Sequence, residues 1–153
     1  MKLDKIEKTI LNTLQTEGRI SNVELANRVG ISESPCFRRV KALEEAQVIE
    51  GYGASLNQRA LGLQVTAFVQ VSLEKQGDDL LAAFLQEVKA EEHIIECHAM
   101  SGSHDYLLKV VANSIDHFSV LSMQHILKFP GVINMESNFS LSAVKEGSPL
   151  PVS

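Results

Sequence analysis

Between residues 32 and 41 the chain reads SESPCFRRVK, placing two hydroxyls, two guanidinium groups and an ammonium within ten residues. These groups hold a polyanion: Arg and Lys neutralise phosphates, while hydroxyls and helix-terminal amides donate to phosphate oxygens. At 100° per residue, Ser34, Arg38, Lys41 and Glu45 share one side of a helix, with Arg39 on a flank. Cys36, Val40, Leu43 and Gln47 share the other, with Glu44 at its margin. One face can be buried while the other presents cations to phosphates and base edges, the division a recognition helix needs. A solvated face on an ordinary surface helix has the same pattern, so the flanking elements decide.

Those flanking elements are specific. Ser21 and Glu24 form a capping-box pair, and Leu25, Ala26 and Val29 follow on one helical face. Gly30 stands where a helix ends in a left-handed residue. Ser32 caps the next helix, and Pro35 sits in its first turn, where a missing amide proton costs little. Two helices joined so tightly cross steeply, which is a helix-turn-helix. Leu3, Ile6, Ile10 and Leu14 predict a preceding helix, closed at Glu17-Gly18, that supplies the third wall of a small core. Ser32, Ser34, Pro35, Arg38, Arg39 and Lys41 are therefore the residues expected at double-stranded DNA.

The chain has 153 residues, 44% of them hydrophobic, enough for one domain or two small ones with real cores. Its apolar segments fall short of a transmembrane span, and the charged N-terminus reads as helix rather than signal peptide. Cys36 and Cys97 are too few for a disulfide framework, which points to a reducing cytoplasm. The net charge of −5 divides unevenly: nine Lys/Arg against eight Asp/Glu in residues 1–60, five against eleven beyond. A small basic footprint implies modest affinity per subunit, and hence a multimer on a palindromic operator.

After the recognition helix, Val48 to Gly53 turns extended and glycine-punctuated, as a wing or a strand leading into a hinge. The expected division is a helix-turn-helix domain over 1–57, a linker over 58–63 and a second domain over 64–153. In that second domain Val65, Ala67, Val69, Val71 and Leu73 alternate as in a strand, broken at Gln76-Gly77-Asp78. Leu81, Phe84, Leu85 and Val88 mark a helix, residues 93–100 a strand, SGSHD a turn and YLLKVV another strand. Asn113 or Ser114 then caps a helix directing Ile115, Phe118, Leu121 and Ile126 to the sheet. A last strand alternates Ile133, Met135, Phe139, Leu141 and Ala143. The order is βαββαβ, an α+β ferredoxin-like sandwich with helices on one face of an antiparallel sheet. Its uncovered face keeps Phe68 and other bulky groups, and is expected to bury against a second copy.

GRISNVELANRVGISESPCFRRVKALEEAQVIEGY, followed by a ferredoxin-like domain containing SGSHDYLLKV and FPGV, resembles the leucine-responsive regulator/asparagine regulator (Lrp/AsnC) family. The likeness covers essentially the whole chain. It implies a cytoplasmic, nucleoid-associated transcription factor of amino-acid metabolism. It further implies homodimers that assemble into tetramers or octamers and bind an amino-acid effector between subunits, with no other cofactor. The family's turn motif, Gly-x-x-Asp-Tyr, maps onto Gly102, Asp105 and Tyr106, with His104 at a variable position.

That turn has a physical logic of its own. An amino acid carries a carboxylate and an ammonium on one carbon, so its site needs amides or hydroxyls beside a fixed anion. Ser101, Gly102 and Ser103 offer donors and Asp105 the anion, while Tyr106 and Ile115 are expected to shape the pocket. A hairpin turn in which Asp105 caps its own backbone uses the same residues.

Other chemistry is weakly supported. His93, His98, His104 and Cys97 lie close in sequence, but no HxxxH or CxxC pair organises ligands, so no metal is expected. Cys36 is read as a packed, inert thiol. A phosphate loop, a nucleophile elbow and paired carboxylates are all absent from the sequence. Three classes therefore compete: an effector-tuned regulator, an architectural protein that wraps DNA without an effector, and a small α+β enzyme fused to a helical domain.

Overall fold

The computed structural model of the protein describes residues 2–74 and 77–152. It divides into two compact units, Met1–Ser55 with Val144–Ser153, and Leu56–Ala143. Sequence reading carried the second domain through residue 153, whereas the last ten residues group with the first unit.

Three helices build the first unit. Helix α1, Lys5–Thr16, opens on a complete capping box: the Glu7 amide donates to Asp4 at 2.8 Å and the Asp4 amide to Glu7 at 2.9 Å. Helix α2, Asn22–Val29, has only half of its expected box. Ser21 Oγ accepts the Glu24 amide at 3.1 Å, but the Glu24 carboxylate turns to Arg28, 3.3 Å away. Gly30 closes α2 at φ 74°, a conformation that glycine adopts without a Cβ clash. Helix α3, Glu33–Glu45, packs Cys36 and Leu43 into a core with Ile10, Leu11, Leu25 and Ala26, and Val40 sits at its edge.

Helix α3 ends two residues short of Gln47, the last position of the stripe read from the sequence. Gln47 lies beyond it at φ 54°, exposed rather than on the buried face. Its amide donates to Glu44 O at 3.0 Å and the Val48 amide to Leu43 O at 2.9 Å, the paired bonds of a left-handed helix closure. Residues 50–57 form no strand, so the extended segment is not a strand-built wing. The chain's end returns instead. The Leu150 amide donates to Gln15 Oε1 at 2.6 Å, Gln15 Nε2 donates to Leu150 O at 3.1 Å, and Val152 packs against the helical core.

The second unit is a four-stranded antiparallel sheet with helices on one face. Its strands are β1 (Val65–Leu73), β2 (Ile94–Ala99), β3 (Tyr106–Ala112) and β4 (Val132–Phe139), in spatial order β2-β3-β1-β4. Helix α4, Asp78–Ala90, places Phe84 and Val88 over Ala67, Val69, Val71, Leu108 and Val110. Of the predicted break after β1, Gln76 lies outside the described residues. Helix α5, Ile115–Val120, continues through a wide π turn (Leu121–His125) and a 3-10 turn (Ile126–Lys128). The wide turn keeps Phe118, Leu121 and Ile126 buried, but Ile115 is 53% exposed and does not face the sheet as expected.

Strict alternation fails on both edge strands for one reason. The register shifts between Ile94 and Glu96 on β2, and opposite Ser72 and Leu73 on β4. Each bulge inserts a residue, so Ile94 and Cys97 both pack on the core while Ile95 turns out. Val132 and Met135 likewise face in, and Ile133 is 65% exposed. Strand β4 ends at Phe139, leaving Leu141 outside the sheet. The uncovered face carries half-exposed Phe68 together with Leu107 and Val111, beside the polar Gln70, Lys109, Glu96 and His98.

Candidate functional site

The outer surface of α3 gathers most of the residues picked from the sequence. Ser32 holds the N-cap position, but its hydroxyl makes no capping bond. Ser34 and Arg38 are exposed, Pro35 is half-buried, and Arg38 has no ion pair among the described residues. Lys41 lies 3.3 Å from Glu44. Arg39 differs from its neighbours: its guanidinium reaches Asp4 at 2.5 Å and Glu7 at 3.5 Å, the two residues that cap α1. The Glu7 amide and then Arg39 hold the Asp4 carboxyl below the usual carboxylate range. Arg39 thus ties α3 to α1, and this pairing leaves Arg38 and Lys41 as the outward cations.

Two positioning contacts went unread in the sequence. Asn22 Nδ2 donates to Glu33 O at 3.0 Å, fixing the start of α3 against α2. Glu17, beyond α1, pairs with Arg28 of α2. Both depend on helices meeting in space, for which a single sequence carries no signal. Cys36 is fully buried, and burial pushes its thiol up, as expected of a packed cysteine.

The second candidate is the turn from Ser101 to Asp105. It is held at its ends: the Met100 amide donates to Asp105 O and the Asp105 amide to Val71 O, each at 2.9 Å. Asp105 Oδ2 accepts the Leu73 amide at 2.7 Å, so the carboxylate is anchored on the end of β1 rather than on its own turn. Between these anchors Ser101, Gly102 and Ser103 are exposed. The amides of residues 101–104 make no hydrogen bond among the described residues. His104 is half-buried, its Nδ1 3.1 Å from Ser72 Oγ and its Nε2 3.9 Å from Glu136. Tyr106 points to the helix-covered side, its ring 5.2 Å from that of Phe84. Ile115 is not brought to this turn. It follows the C-terminal end of the seven-residue β3, whereas the turn precedes its start, so roughly 20 Å of strand separates them within one chain.

The histidines regroup. His98 is exposed, and Cys97 packs against the core with its thiol pushed up by burial. His93 joins His125 on the two oxygens of Glu91, each at 3.1 Å, and its ring lies edge-on to His117 at 4.8 Å. Among the described residues, no group of three His, Cys, Asp or Glu is placed to hold a metal ion.

Two family models match, one described as winged helix-turn-helix DNA-binding over residues 3–50 and one as the Lrp/AsnC ligand binding domain over residues 66–150. The chain belongs to the Lrp/AsnC family. It is 39% identical over 150 residues to the leucine-responsive regulatory protein of Escherichia coli (strain K12), covering 98% of this chain and 92% of that protein. A crystal structure of a Neisseria meningitidis transcriptional regulator in complex with L-Met superposes with a TM-score of 0.94 at 37% identity, covering 98% and 97% of the two chains. An AsnC family transcriptional regulator from Agrobacterium tumefaciens superposes at 0.91 with 30% identity, over 97% of each chain. The protein is an Lrp/AsnC-type DNA-binding transcriptional regulator, with a helix-turn-helix unit and a ferredoxin-like ligand-binding unit, and not an enzyme. Among the described residues, no helix is long and apolar enough to cross a membrane.

Proposed function

We propose that this regulator controls genes of amino-acid metabolism and that a small α-amino acid sets its affinity for DNA or its assembly. The observation that carries the reading is the turn at residues 101–105. Four successive amides, of residues 101–104, make no hydrogen bond among the described residues and neighbour a carboxylate that has one oxygen anchored on β1. A zwitterion matches this pattern, its carboxylate on the amides and its ammonium on Asp105 Oδ1. The N. meningitidis relative crystallised with L-Met supports an amino acid as the ligand class.

The turn is open in a single chain, and Ile115 lies far from it. A second chain would therefore complete the pocket, and the exposed Phe68 face offers a surface for pairing. Binding between subunits couples ligand to assembly, because whichever oligomer forms the whole pocket is favoured. DNA contact is assigned to Ser32, Ser34, Pro35, Arg38 and Lys41, with Arg39 holding the helix in place. Two copies on a dimer suit a palindromic operator in the cytoplasm, at the nucleoid. Tetramers or octamers of such dimers extend the same contacts along DNA.

The deciding experiment is a thermal-shift screen of the common amino acids on the full chain. A ligand of the native state raises the melting temperature, by about 2.7 kcal/mol of added stability at a hundredfold excess over its Kd. A family of related amino acids that shifts the transition is expected. No shift with any of them, together with intact operator binding, would leave the effector-independent architectural role in its place.

A further inference from the structure

We propose that Phe37 reads the C5 methyl group of a thymine in the major groove and is a specificity-determining residue of α3. The proposal rests on α3 being the DNA-reading helix and deepens that assignment. Phe37 is 53% exposed, although the core of the first unit is filled without it by Cys36 and Leu43 from the same helix. Ser34, Phe37 and Lys41 follow one another at three- and four-residue steps, so they form a single ridge. Arg38 is next to it, exposed and without an ion pair among the described residues. The ring therefore stands within the same surface as the hydroxyl and the cations assigned to DNA. It is also in the N-terminal half of α3, the part of a recognition helix that meets base edges.

The ring borders a hollow whose lining includes Ile20, Leu25, Val40 and Tyr52, and about half of the residue is open to solvent. On a helix face otherwise made of charges, hydroxyls and small groups, a half-exposed phenyl ring is an uncompensated apolar surface. The major groove offers one apolar feature among its donors and acceptors, the thymine methyl, and phenylalanine is suited to meet it. Arg38 and Lys41 fix register through charge, and neither can sense that methyl. Phe37 supplies the discrimination they lack.

The test begins by selecting operator duplexes from a random pool with the full-length protein. Each thymine of the best duplex is then replaced singly by deoxyuridine, which deletes only the methyl. Wild type should lose about fourfold in affinity at one thymine per half-site, the equivalent of returning one methyl to water. Phe37→Ala should bind both duplexes equally at that position, while Phe37→Leu should keep part of the preference. The comparison is made between two duplexes on one variant, so any loss of folded protein cancels. Wild type indifferent to every methyl, or Phe37→Ala with the wild-type preference intact, overturns the proposal and leaves DNA binding by α3 standing. A chain that selects no duplex at all overturns both.

Discussion

Asp105 serves two roles in the proposed effector site, and two substitutions separate them. One oxygen accepts the Leu73 amide at 2.7 Å and joins the turn to the end of β1; the other is the partner proposed for the ligand ammonium. Asp105→Asn keeps an oxygen for Leu73 and removes the charge, whereas Asp105→Ala removes both. A hydrogen bond to a charged group contributes about 1.5–3 kcal/mol in favourable surroundings. Asp105 is exposed in the single chain, so the lower end applies, and Asp105→Asn should cost less than about 1 kcal/mol of stability. The ligand term depends on desolvation. An ammonium–carboxylate pair open to water is worth about 0.2–1 kcal/mol, but one enclosed between subunits loses about 2–5 kcal/mol when one partner is removed. Calorimetric titration with the best amino acid from the screen should therefore show Asp105→Asn binding at least about 30-fold more weakly, with urea unfolding close to wild type. Asp105→Ala should fall as far in affinity and also lose stability. Equal affinity for wild type and Asp105→Asn would refute the ammonium contact and move the pocket away from the turn.

Three further outcomes follow from the contacts described. Arg38→Ala combined with Lys41→Ala should lower the slope of log affinity against log salt by about 1 to 2, whereas Arg39→Ala should mainly lower the stability of the first unit; fluorescence anisotropy over a salt series separates the cases, and an unchanged slope in the double variant contradicts the assignment. Ending the chain at residue 147 removes Val152 and both Gln15–Leu150 bonds, which should cost the first unit about 1–3 kcal/mol; a calorimetric transition unmoved by the truncation counts against a packed tail. Burial alone would raise the Glu91 carboxyl, but hydrogen bonds from His125 and His93 outweigh it and hold the group below its usual range. With the folded value depressed, its stabilisation is complete above the unfolded value near 4.5 and is lost as pH falls through the folded one, so Glu91→Gln should melt with a shallower acid limb below about pH 5, and an identical limb would remove Glu91 from that account.

Much of this protein is written locally. The turn of the helix-turn-helix is legible because Ser21 and Gly30 act on their own helix: a side-chain oxygen takes an orphan amide, and a missing Cβ permits φ 74°. The buried side of α3 is legible because Cys36, Val40 and Leu43 repeat at helical period, and β1 because its apolar residues alternate. The turn at 101–105 is legible as a candidate from Gly102 and Asp105, whose types suit both a bend and a zwitterion.

Tertiary structure decided the rest, wherever two distant segments had to meet. The partner of Asp105 is the Leu73 amide on β1, so whether that carboxylate caps its own turn or another strand is a matter of sheet register. The bulges at Ile95 and Ile133 break alternation because each is defined by the neighbouring strand, and an apolar residue at an edge reads the same whether it faces in or out. Arg39 and Arg38 are adjacent and chemically identical in the sequence. The approach of α3 to the cap of α1 turns Arg39 into a tether and leaves Arg38 outward, where the proposed function needs a cation. The final residues carry no periodicity, and their place against Gln15 depends on a chain closing a long loop, an entropic cost recovered only by contacts that local sequence does not encode.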